Sequence, residues 1–257
     1  MESERGADRF KCIHVREFGM NGLYHRIFDS KKVIIFDIDG TLVYIMDVHT
    51  RAYIDCIWEL CRVKIKTFED VSKHYGIQNQ ETFRRILTDY SVPFTEELIT
   101  KLVNLRGDKM ASPTADISEK NILGGVISLL DHLQSDGKQI ATITGNSRQV
   151  GEAVLMKTTL SRFFEIQVYG DDLVKGEKIH GRDKMIAFAL EQVEMKTGNL
   201  FSKKDVLVVG DMIPDIQGAQ KAGMDSLAVA TGGVPLEILQ KETRRNDGSY
   251  IRFSDNA

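Results

Sequence analysis

The chain has 257 residues, with 34 Lys+Arg against 37 Asp+Glu, a formal charge of −3, and 42% hydrophobic and 28% charged residues. That balance excludes a collagen-like repeat, a disordered polyelectrolyte and a disulfide scaffold, each of which needs a strong compositional bias. It also gives no reason to expect nucleic acid or an anionic membrane surface as partner. No apolar run approaches the roughly 18 residues of a membrane span. The three cysteines, Cys12, Cys56 and Cys61, lack CxxC spacing and fit a reducing compartment. The N-terminus interleaves acidic and basic residues with no apolar signal segment, so a soluble, cytoplasmic protein is expected.

In chain order, residues 1–30 read as a polar extension with little periodicity. Val33-Ile34-Ile35-Phe36 is a β-branched apolar run ended by an Asp/Gly turn, the pattern of a strand buried on both faces. From 47 to 119 no strand is evident. Helical patterns cover about 49–63, 67–75, 79–90 and 95–107, with Thr67, Asn79 and Thr95 as expected N-caps. Gly76 and Pro93 punctuate them, and Ser112-Pro113-Thr114 would be the return linker.

Beyond this insert, strands are expected at Ile140–Thr144, Phe164–Val168, Val206–Val209 and Leu227–Ala230. Helices alternate with them: about 126–133 ending near Gly137, one capped by Asn146 with Gln149, one over 182–196, and one opened by Pro214. Such alternation means βαβ units. The expected fold is α/β, a doubly wound parallel sheet interrupted by an all-helical insert. The division is 1–30 extension, 31–46 with 120–257 core, and 47–119 insert.

The first strand runs into Asp37-Ile38-Asp39-Gly40-Thr41-Leu42-Val43. Two carboxylates two residues apart can face one pocket beyond the strand's C-terminal end, where open α/β sheets bind ligands. Strand Val206–Val209 ends in Gly210-Asp211-Met212-Ile213-Pro214-Asp215, a second acidic pair on the same rim. Four carboxylates with no His/Cys set point to Mg²⁺ rather than zinc. Thr144-Gly145-Asn146, at a strand end and helix start, is a natural anion cradle. Lys178 and Arg182 follow the next strand, where a cation would offset the gathered negative charge.

Strand–DIDGTLV, strand–TGN, a lysine, then strand–GDMIPD resembles, in order and context, the haloacid dehalogenase-like superfamily, and within it the phosphoglycolate phosphatase-like branch. The resemblance covers about residues 31–46 and 120–257, including Val229–Gly233 and a last strand at Tyr250–Phe253. It implies a Rossmann-like core with a helical cap. It makes Asp37 a nucleophile that becomes an aspartyl-phosphate, Asp39 the acid and base, Thr144 a phosphoryl contact, and Lys178 the brace for Asp37. Arg182 is the alternative brace, and with Thr41, Gly145 and Asn146 it is a candidate substrate contact. Asp37, the Asp39 carbonyl, Asp211 and Asp215 would hold Mg²⁺.

The expected activity is a Mg²⁺-dependent phosphatase acting on a small phosphorylated metabolite, with a phosphomutase or phosphotransferase, or a non-catalytic binding protein, as alternatives. Arg84, Arg85, Lys101 and Arg106 are cap cations expected mainly on solvated helix faces, and His132 and His180 are expected to be non-catalytic.

Overall fold

The computed structural model describes residues 13–14, 27–75, 78–112, 114–174, 177–178, 181–245 and 249–252. Seven parallel strands form one sheet: β1 (Ile13–His14), β2 (Val33–Phe36), β3 (Gln139–Thr144), β4 (Ile166–Tyr169), β7 (Val206–Gly210), β8 (Asp225–Val229) and β9 (Ser249–Arg252). Their order is β1-β9-β8-β7-β2-β3-β4. Two short strands, β5 (Leu173–Val174) and β6 (Glu177–Lys178), pair antiparallel outside it.

Four helices lie between β2 and the return to the sheet: α1 (Met46–Cys61), α2 (Glu69–Ser72), α3 (Asn79–Asp89) and α4 (Glu96–Ala111). Then come α5 (Val126–Ser135), α6 (Arg148–Lys157), α7 (Arg182–Thr197), α8 (Ile213–Ala222) and α9 (Leu236–Arg245). None is long and apolar enough to cross a membrane.

Strands β2 and β7 are apolar on both faces because both are covered. Ile34 and Phe36 pack with Leu207 and Val209 against α5 (Leu130, Leu133) and α6 (Val150, Val154). Val33 and Ile35 point the other way, with Ile143 and Val208, onto α7 (Ile186, Ala189, Val193) and α8 (Ala219). A period-2 strand within a continuous apolar run produces this split. The insert has its own core, built from Tyr53, Ile57, Phe83, Ile86, Leu87, Ile99 and Leu102.

Most expected elements form. Thr95 caps α4, accepting from the Leu98 N–H at 3.2 Å, and Pro214 sits in the first turn of α8. Gly137 turns at φ +70 just past α5. Other features differ from expectation. Gln78, not Asn79, holds the N-cap position of α3. β4 begins two residues late, because Phe164 is held in the core as the chain leaves a 3₁₀ turn. Within the stretch read as a polar extension, Ile13–His14 pairs with β9, and Ile27 and Phe28 are buried. In α1, Cys56 is buried and Cys61 half-buried, both free, while Trp58 between them is exposed.

Strand order reverses at β2. Its neighbours on either side, β3 and β7, belong to opposite windings of the sheet. The crevice beyond their C-terminal ends is where the fold places a ligand.

Candidate active site

Asp37 leaves the end of β2 with its N–H donated to Val209 O at 2.9 Å, so its backbone prolongs the ladder while its side chain enters the crevice. The next residues curl back: the N–H groups of Leu42 and Val43 both donate to Ile38 O, at 2.8 and 3.1 Å. Gly40 makes this turn at φ +87, a conformation that costs glycine little. The curl returns Asp39 to the rim beside Asp37.

Asp211 follows β7 directly. Asp215 lies in the first turn of α8, where one carboxylate oxygen accepts from Met212 N–H at 3.1 Å. That cap leaves its other oxygen, Oδ1, buried within the cluster. Carboxylate oxygens of Asp37, Asp211 and Asp215 all lie within 4.8 Å of one another, and all three residues are buried. Thr41, expected among the substrate contacts, donates its hydroxyl to Asp211 Oδ1 at 3.0 Å, which holds that carboxylate in place.

The cation among them is Arg182. Its Nη2 lies 3.2 Å from Asp37 Oδ1 and its Nε 2.8 Å from Asp215 Oδ1, while Nη1 is buried with no hydrogen-bond partner among the described residues. Among the described residues, three carboxylates face one guanidinium, which leaves two negative charges uncompensated there. Burial pushes all three carboxyls above their ordinary range. Arg182 opposes the shift at Asp37 and Asp215, and Asp215 itself raises Asp211, which is pushed up to about 8. Such a group is stable as an ionised set only with a further cation. The all-oxygen donors and their excess of negative charge fit Mg²⁺.

Backbone closeness fixes the cluster. A Cβ on Gly232 would lie 1.7 Å from Asp211 Oδ2, and one on Gly40 2.4 Å from the same atom. Gly232→Ala is therefore expected to displace the Asp211 carboxylate and weaken Mg²⁺ binding by roughly tenfold or more, measured by titration calorimetry. Unchanged binding would remove Asp211 from the ligand set.

Thr144, buried at the end of β3, faces the same crevice. Its Oγ1 accepts from Asn146 N–H at 3.2 Å. Asn146 does not cap α6: Ser147 occupies that position, and the Asn146 amide instead donates to Asp39 Oδ2 at 2.5 Å. Gln149, its expected capping partner, donates to Asp108 of α4. Nothing crowds Gly145. Lys178 lies in β6, but its side chain is outside the described residues, as is His180.

Two further residues join the site from the insert. His49 of α1 is buried, with Nε2 3.4 Å from Asp39 Oδ1. Arg106 of α4, 3% exposed, donates from Nη2 to His49 Nδ1 and covers the Tyr53 ring at 4.5 Å. His49 carries no local sequence signal, and Arg106, expected on a solvated cap face, is buried instead. Arg84, Arg85 and Lys101 do behave as expected, pairing at the surface with Glu96, Glu81 and Glu97.

Residues 34–229 match the haloacid dehalogenase-like hydrolase family. The chain is similar to pyrophosphatase PpaX of Bacillus thuringiensis, 26% identical over 197 residues, covering 77% of this chain and 82% of the relative. In structure it resembles a predicted phosphoglycolate phosphatase from Haemophilus somnus (TM-score 0.68, 19% identity, 86% of this chain and 94% of that one). It also resembles the β-phosphoglucomutase of Clostridium difficile (TM-score 0.61, 19% identity, 84% and 98%). At these identities the structural likenesses speak for the fold alone.

Proposed function

The chain belongs to the haloacid dehalogenase-like hydrolase family, and from that premise we propose that it is a Mg²⁺-dependent phosphatase that hydrolyses a small phosphate monoester through an aspartyl-phosphate. The observation that carries this reading is the buried Asp37–Asp211–Asp215 cluster with the Arg182 guanidinium against it. Residues 47–119 are read as the cap.

Asp37, the Asp39 carbonyl, Asp211 and Asp215 would hold Mg²⁺, which when bound supplies the positive charge that lets a carboxylate approach an anionic phosphate. An Asp37 oxygen attacks phosphorus. As the ester P–O bond breaks, Asp39 gives its proton to the leaving oxygen. Water then attacks the aspartyl-phosphate and passes a proton to Asp39. The bond from phosphorus to Asp37 breaks, and the nucleophile is restored. Thr144 and the backbone around Gly145 and Asn146 contact the phosphoryl oxygens, and the unpartnered Arg182 Nη1 is a further donor toward them. The insert shields the reaction from bulk water.

We assign the bracing role to Arg182, in place of the Lys178 that the family resemblance favoured. The support is its pair of contacts, with Asp37 and Asp215. Arg182→Ala is expected to lower kcat by roughly 100-fold or more and Lys178→Ala by less than tenfold. The reverse order in steady-state assays would return the role to Lys178.

The test of the function itself is phosphate release from a panel of phosphomonoesters with Mg²⁺ and with EDTA. Release only with Mg²⁺ is expected. Release indifferent to EDTA, or none from any ester, would overturn the reading, and a rearranged phosphorylated product would mark a mutase.

A further inference from the structure

Three buried polar atoms at one spot lack hydrogen-bond partners among the described residues: Asp39 Oδ1, His49 Nε2 and Arg106 Nε. Leaving such atoms unpaired costs about 1–3 kcal/mol each, so their clustering beside Asp39 needs a reason that packing does not provide. The hydrogen-bond chemistry supplies one. A guanidinium has donors only, so His49 Nδ1 must accept from Arg106. The ring proton is then on Nε2, the nitrogen 3.4 Å from Asp39 Oδ1. Asp39 Oδ2 is already held from the sheet side by Asn146 at 2.5 Å.

We propose that His49 and Arg106 are positioning residues for the reaction. Arg106 fixes the His49 tautomer, and His49 presents its Nε2–H to Asp39, so that the carboxyl is aimed from both sides at the leaving oxygen. Arg106 is itself held by the face of Tyr53, whose hydroxyl donates to Asn79 Oδ1 at 2.6 Å. The insert thus takes part in proton delivery as well as enclosure. His49 sits on α1 and Arg106 on α4, so the arrangement exists only with both helices seated over the crevice. The same logic, a third group holding an imidazole in one tautomer, operates in hydrolytic triads. The relay rests on the proposed function, since it acts through Asp39 as acid and base.

Two measurements test it. The first needs no turnover: ¹⁵N NMR of the full chain, with the His49 signals assigned by His49→Gln. A pyrrole-like Nε2 and pyridine-like Nδ1 are expected, with loss of that fixed pattern in Arg106→Met. A protonated Nδ1 in the wild type, or a pattern unchanged in Arg106→Met, would overturn the relay.

The second compares kcat/KM for phenyl phosphate with that for p-nitrophenyl phosphate, which are alike in shape. Phenolate needs a proton to leave and p-nitrophenolate does not. His49→Ala and Arg106→Met are expected to lose roughly 10- to 100-fold on phenyl phosphate and several-fold less on p-nitrophenyl phosphate. His49→Gln, whose amide can still donate, is expected to recover part of the loss. Equal losses on both esters with no recovery in His49→Gln would mean a merely structural role. Phosphate release unchanged in Asp37→Asn would instead sink the proposed function, while the tautomer measurement would still report on Arg106 and His49.

Discussion

Asp37→Asn is expected to abolish phosphate release, by roughly four orders of magnitude or more, while the protein stays folded. The amide keeps the shape of the side chain and its place at the end of β2, where the backbone N–H is bonded to Val209. It loses the nucleophilic oxygen, and the neighbouring carboxylates among the described residues are held elsewhere, Asp39 by Asn146. Asp215 is tied to Met212 N–H and Asp211 to the Thr41 hydroxyl. A second consequence separates this outcome from unfolding. Burial and three neighbouring carboxylates outweigh Arg182 in raising Asp37, so in EDTA at pH 8 the neutral variant is expected to melt at a higher temperature than the wild type. An inactive variant that also melts lower would mean that the loss is structural.

The metal-free protein is expected to lose stability as pH rises, the opposite of ordinary acid denaturation. Asp211 has an unfolded-state pKa near 3.8 and is pushed up to about 8 when folded, first by burial and then by Asp215. Between those values the folded state binds more protons than the unfolded one, so unfolding free energy falls with pH across that window. The loss is on the order of a few kcal/mol, or roughly 5–10 °C in melting temperature for a chain of this size.

Mg²⁺ reverses the sign of the problem, because it needs the carboxylates ionised. Its stabilising effect is therefore expected to grow from pH 5.5 to pH 8. Melting curves in EDTA and in Mg²⁺ at both pH values check this. A flat EDTA profile, or an equal Mg²⁺ effect at both, would contradict the crowded acidic cluster. Asp211→Asn is expected to remove most of the slope.

Much of this arrangement is legible locally. An apolar run such as Val33–Phe36 ended by Asp37 announces a strand tip with a carboxylate on it, because side-chain alternation and turn chemistry act over neighbouring residues. The same holds for Val206–Val209 and Asp211. Pro214 and Thr95 mark their helix starts for equally local reasons. Asn146 shows the limit. Its sequence neighbours make it a helix cap, yet its amide turns to Asp39, 107 residues away, and Ser147 takes the cap position.

Which strand tips carry the chemistry, and that they are acidic, followed from the order of short motifs along the chain. Which side chains meet there was decided by the sheet order β7-β2-β3, which sets Asp211 and Thr144 on either side of Asp37. Packing of the insert decided the rest. Thr41 reaches Asp211 across 170 residues and Arg106 reaches His49 across 57; no helical or strand period spans such distances. Arg106 and Arg84 look alike as cations on a helical pattern. Only burial distinguishes them, because a guanidinium taken out of water must find acceptors and an aromatic face, and one left at the surface need not.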